Sequence, residues 1–119
     1  MTFINDNPQG AFSDTRRDCW LIQILLPQRD DAGAPFEANV YEQVRHRLTQ
    51  KFGGMTFYRH APAEGTWQAS SNTEHDEIVL AEIMVADLDE DWWSAYRSEL
   101  EKRFHQSEIV VRAIPIRRL

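Results

Sequence analysis

An α+β sandwich is the fold class this sequence predicts, on three observations. Four short apolar runs with alternating character, at 19–27, 55–60, 77–86 and 107–116, read as strands. Two amphipathic stretches, 36–52 and 87–106, read as helices lying between them. The order is strand, helix, strand, strand, helix, strand, in two halves of matching plan. Such a chain closes into a ferredoxin-like βαββαβ sandwich: a four-stranded antiparallel sheet of order 4-1-3-2, with both helices on one face.

Each element has its own warrant. "CWLIQILLP" is rich in large and β-branched apolar residues and stops at Pro27. "QRDDAGAP", 28–35, is a loop. From Phe36, apolar Val40, Val44, Leu48 and Phe52 recur every four residues with polar residues between them. Gly53-Gly54 then supplies the left-handed exit that helix C-termini favour. A phosphate-cradling loop needs its glycines to lead into a helix N-terminus, which is the reverse order. "MTFYRH" alternates as a second strand, and "APAEGTWQASSNTE" is a turn-rich connection in which Trp67 anchors the strand's edge. "EIVLAEIMVA" is apolar at nearly every position and belongs at the centre of the sheet. The second helix opens acidic (Asp89, Glu90, Asp91) and closes basic (Lys102, Arg103), as the helix dipole favours. Its stripe is Trp93, Tyr96, Leu100 and Phe104, while Trp92, on a different face, covers a loop or a second subunit. Pro115 cannot donate to a ladder, which places the last strand at an edge.

The bulk numbers set limits on function. A chain of 119 residues, 42% hydrophobic and 27% charged, forms one ordinary domain, 19–119, behind a polar, flexible N-terminal arm, 1–18. A net charge of −6 opposes general nucleic-acid affinity. Cys19 alone excludes an internal disulfide and a multi-cysteine zinc site, and its apolar setting suits a small buried hydrophobe. The first residues lack the apolar core of a signal peptide, and no apolar run is of membrane-spanning length, so a cytoplasmic location without membrane contact is expected.

A further signal comes from Tyr96, Arg103, Phe104, Gln106, Glu108, Val110, Val111 and Arg112, a helix end running into a valine-rich strand. With Phe52, Gly54, Thr56 and the later Gly65 and Trp67, this pattern resembles a family of uncharacterised bacterial domains, some described as lipoproteins. The resemblance spans about residues 36–113 and implies a ferredoxin-like fold, with no established activity. The chain departs from it in a longer connection between Thr56 and Trp67 and in having no lipoprotein signal.

Strand alternation sorts the residues by face. One face collects Trp20, Ile22, Ile24, Leu26, Met55, Phe57, Val79, Ala81, Ile83, Val85, Ile109, Val111 and Ala113, and should meet the helices. The other collects Leu21, Leu25, Leu80, Met84, Val110 and Ile114 around a polar group: Gln23, Thr56, Tyr58, His60, Glu82 and Arg112. An uncovered face of that composition exposes several hundred Å² of apolar surface, about the size at which a patch stops being incidental. A second copy, joined face to face in a homodimer, is the expected cover. Glu82 in mid-strand needs a partner, and Arg112 is the expected one.

Two readings of the polar group follow. In one, it is a structural network that fixes register and partner. In the other, it is a pocket, with Glu82 as base or acceptor, His60 and Tyr58 as proton donors, and Arg112 and Gln23 holding a small anionic ligand. His60, Glu64, His75, Asp76 and Glu77 lack metal-ligand spacing, so neither metal nor cofactor is expected. An RNA-binding version of the fold needs aromatics on the two central strands, where this chain has Leu21, Gln23, Leu25, Ile78, Leu80, Glu82 and Met84. The expectation is a dimeric ligand- or protein-binding, regulatory module. The alternative is a cofactor-free enzyme of the dimeric α+β barrel kind, acting on a small hydrophobic substrate.

Overall fold

The computed structural model describes residues 18–59 and 78–119. The proposed arm up to residue 17, and the connection holding His60, Glu64, Trp67, His75, Asp76 and Glu77, lie outside the described residues. The elements are β1 (Asp18–Pro27), α1 (Ala38–Phe52), β2 (Thr56–Arg59), β3 (Ile78–Val85), α2 (Glu90–Arg103) and β4 (Val110–Arg117). The sheet is antiparallel, of order β2-β3-β1-β4, which read from the other edge is the expected 4-1-3-2. Pro115 stands opposite Trp20 on the edge strand, where its missing N–H breaks no inner ladder.

The core lies between the sheet and the two helices. Ile22, Ile24, Leu26, Val79, Ala81, Ile83, Val85 and Ile109 pack against Tyr41, Val44 and Leu48 of α1 and against Trp93, Tyr96 and Leu100 of α2. Each fully buried aliphatic side chain of this kind is worth about 1.5–3 kcal/mol. The helix-facing alternation is therefore realised at its centre. At the β4 end it lapses: Ala113 is exposed and Trp20 half-buried, both beside a cavity between α2 and the sheet.

Helix ends differ from the periodicity at four points. Phe36 is not the start of α1; its N–H donates to the Gln28 carbonyl at 3.1 Å, closing the 28–35 loop. Glu37 is extended (φ −70°, ψ 150°) and caps α1 without a side-chain bond. α2 begins three residues later than its polar run, because the Asp89 carboxylate accepts from the Trp92 N–H at 3.1 Å and makes Asp89 the N-cap. It ends early, at Arg103, where Phe104 caps it and His105 turns left-handed (φ 54°). Gly53 has φ 92° and its N–H donates to the Thr49 carbonyl, the glycine exit expected for α1.

Three residues of the helix-to-strand motif, Arg103, Phe104 and Gln106, lie in this chain reversal. Phe104 is fully buried, edge-on to Phe36 at 5.1 Å and tilted against Tyr41 at 5.6 Å. Arg103 pairs with Glu99 at 2.7 Å, and Gln106 donates from its side chain to the Phe104 carbonyl at 3.1 Å. The Glu101 carboxylate accepts from the Ile109 N–H at 3.1 Å, so β4 pairing starts at Val110 rather than at 107.

Trp92 packs on α1. Phe52 meets Trp92 edge-on at 5.4 Å and stacks on Trp93 at 5.3 Å, and Trp92 stacks on Tyr96 at 5.1 Å. Lys51 and Arg47 stand over the Trp92 ring at 4.9 and 5.4 Å. No helix among the described residues is long and apolar enough to cross a membrane.

Candidate functional site: a polar row across the open sheet face

Register places four residues in one line across the sheet. Thr56 of β2 pairs with Glu82 of β3, Glu82 with Gln23 of β1, and Gln23 with Arg112 of β4. All four project to the face away from the helices, by the same alternation that buries Ile22, Ala81 and Ile83.

Gln23 is the centre of the row. Its Nε2 donates to Glu82 Oε2 at 2.7 Å, and its Oε1 accepts from Arg112 Nε at 2.7 Å. The expected pairing of Glu82 with Arg112 is thus corrected: β1 lies between them, and the Gln23 amide bridges both. Two inter-strand spacings hold the carboxylate and guanidinium backbones about 10 Å apart. A side-chain amide carries a donor and an acceptor on separate atoms, so it can donate to one and accept from the other.

Apolar rows flank the polar one on both sides. Val110, Leu25, Leu80 and Tyr58 form one, in register across all four strands; Ile114, Leu21 and Met84 form the other. Met84 is 54% exposed, Tyr58 50%, Val110 42% and Ile114 37%. Leu21, Leu25 and Leu80 are half-buried by these neighbours. Tyr58 therefore belongs to an apolar row, one step from Glu82, and Thr56 is the residue directly opposite that carboxylate. His60 lies outside the described residues. Gln23, Glu82 and Arg112 are brought together; Tyr58 is adjacent to the group without joining its hydrogen bonds among the described residues.

Among the described residues, two cavities lie beside the sheet. One of about 500 Å³ sits at the β4 corner, between α2 and the sheet, lined among others by Trp20, Leu88, Trp93, Ser94, Arg97 and Val111. Another, about 920 Å³ and open, lies at the Asp18 end of the sheet beside Cys19, Asp87, Ile116 and Arg118. Arg112 lines the first of them, and Gln23, Glu82 and Tyr58 line neither. Cys19 is buried, as its apolar setting implies. His46 and His105 are exposed on the surface. Among the described residues, no group of three or more metal-ligating side chains converges.

Sequence reasoning missed two features of the helix layer. The Tyr41 hydroxyl donates to the Pro27 carbonyl at 2.5 Å, and burial raises its pKa against the lowering influence of Arg59. The Tyr96 hydroxyl is buried without a hydrogen-bond partner among the described residues, and desolvation pushes its pKa up to about 12, with Arg103 opposing. Only Tyr41's offset of one residue from the Val40–Val44–Leu48 stripe hinted at its burial.

Comparisons with protein-family models, with curated proteins and with solved structures find no match to this chain.

Proposed function

We propose that this chain is a cytoplasmic, homodimeric binding module that joins a second copy through its open sheet face and serves a regulatory or ligand-holding role. The observation that carries the reading is the composition of that face. Two apolar rows of exposed and half-buried side chains enclose one polar row whose inner hydrogen bonds are already made. A solvated face of an antiparallel sheet is ordinarily polar, and contiguous apolar surface of this extent marks an interface. The bonded Glu82–Gln23–Arg112 row fits the structural reading better than the catalytic one. Its resemblance to uncharacterised bacterial domains adds a fold-level analogy and no activity.

Sedimentation equilibrium of the wild type and of Leu25→Glu tests the reading. A dimer converted to monomer by a charge at the centre of the face supports it; a wild type that stays monomeric at 100 μM sinks it.

The corner cavity favours a second reading, a cofactor-free enzyme or ligand carrier for a small hydrophobic anion. Trp20, Trp93, Leu88 and Val111 supply apolar walls, with Arg97 and Arg112 as cations and Glu90 as a single carboxylate among them. A thermal-shift panel of aromatic carboxylates, with Arg97→Ala as control, tests it. Stabilisation lost in the variant supports the reading, and a flat panel counts against it.

A further inference from the structure

The charges on the open face determine which dimer that face can form. This step rests on the homodimer reading and adds the orientation of the partner. Glu82 and Arg112 lie on opposite sides of Gln23, one strand away on β3 and β4. A face-to-face pair of identical chains has its two-fold axis in the plane between the sheets. If that axis runs along β1 through Gln23, rotation carries the β3 side of one copy over the β4 side of the other. Glu82 then meets the partner's Arg112 twice, once on each side of the axis. If the axis runs across the strands, Glu82 meets a second Glu82 and Arg112 a second Arg112, and both contacts repel.

We infer that two copies of this chain pack sheet to sheet about a two-fold axis parallel to β1, with reciprocal Glu82–Arg112 ion pairs. Three further points agree. The Gln23 amide uses one N–H on Glu82 and one lone pair on Arg112, leaving one of each for its symmetry mate on the axis. The apolar rows map onto themselves under the same rotation, so Leu25 faces its own copy and Leu80 faces the Val110 position of the second copy. Aligned sheets cross at about 30°, which moves a residue one strand off the axis by only about 2.5 Å, within reach of an arginine. Strands of ten, four, eight and eight residues laid side by side give a flat footprint of roughly 500 Å². Side-chain relief raises its accessible area toward the roughly 800 Å² per partner of stable interfaces.

Charge exchange tests the orientation, with dimer dissociation constants measured by analytical ultracentrifugation and folding checked by circular dichroism. Glu82→Arg and Arg112→Glu alone should each weaken the dimer at least about 100-fold, since like charges then oppose across the interface. The double variant Glu82→Arg/Arg112→Glu should recover a homodimer to within about tenfold of wild type. Should either single charge reversal unfold the chain, Glu82→Gln replaces it, and weakening by at least about threefold is expected. A wild-type dimer tightened by Glu82→Gln, or one indifferent to both charge reversals while Leu25→Glu still dissociates it, overturns the reciprocal pairing and leaves the sheet-face dimer standing. A wild-type monomer overturns both.

Discussion

Arg112 Nε donates to Gln23 Oε1 at 2.7 Å across the β1–β4 ladder, and this bond makes the middle strand a bridge between two charges that lie two strands apart. Removing the bridge tests it. Gln23→Ala should cost about 1 kcal/mol in urea unfolding, the scale of a partly exposed hydrogen-bond pair to charged groups. Glu82→Gln keeps an acceptor for the Gln23 amide and should cost less than half as much. Equal losses would show that the Gln23 amide is not the shared element.

Tyr96 predicts an opposite sign. Its hydroxyl is buried without a partner among the described residues, so the chain bears the desolvation of that group with no bond in return. Tyr96→Phe keeps the ring against Trp92 and Trp93. The variant should be as stable as wild type or more so, by up to about 1 kcal/mol, measured by urea or thermal unfolding.

The same tyrosine sets a limit in alkali. Burial raises its pKa to about 12 in the folded chain, from 10.0 when exposed. Between those values the unfolded chain gives up the proton and the folded chain keeps it, so the unfolded state is favoured as pH rises. The contribution is intact below pH 10 and is lost progressively toward pH 12, by on the order of 2 kcal/mol. Thermal unfolding followed from pH 9 to 12 should fall more steeply for wild type than for Tyr96→Phe. Tyr41, also raised by burial, adds a slope that both proteins share.

Gly53 predicts a purely conformational cost. A Cβ there meets nothing within 4 Å, yet φ is 92°. Gly53→Ala should lose about 1 kcal/mol through backbone strain alone. Gly54 lacks positive φ among the described glycines, so Gly54→Ala should be close to neutral. Comparison of the two urea midpoints separates the capping glycine from its neighbour.

Sequence periodicity carried the architecture because both signals it uses are local. Alternation in "LIQILL" and "IVLAEIMV" sorted the two faces, and the helix-facing set of β1 and β3 is buried apart from half-exposed Trp20. The four-residue spacing of Val40, Val44, Leu48 and Phe52 identified α1. What escaped was set by contacts distant in sequence. Phe36 fits the helical spacing but is drawn into the loop by Gln28 and by Phe104, 68 positions later. Gln23, Glu82 and Arg112 were legible as neighbours from strand order, whereas the bridging role of Gln23 needed the register that puts β1 between the charges. The orphaned Tyr96 hydroxyl left no trace in the sequence, since a tyrosine on an apolar stripe looks the same with or without a partner. For His60, whose position lies outside the described residues, alternation remains the only guide.

Assembly through the open face is the central claim, and sedimentation equilibrium over 1–100 μM tests it most directly. Wild-type protein should sediment with twice the mass of one chain at the upper end of that range, and Leu25→Glu, folded by circular dichroism, with the mass of one. A folded wild type that remains a monomer throughout, or a dimer that Leu25→Glu leaves intact, would contradict it.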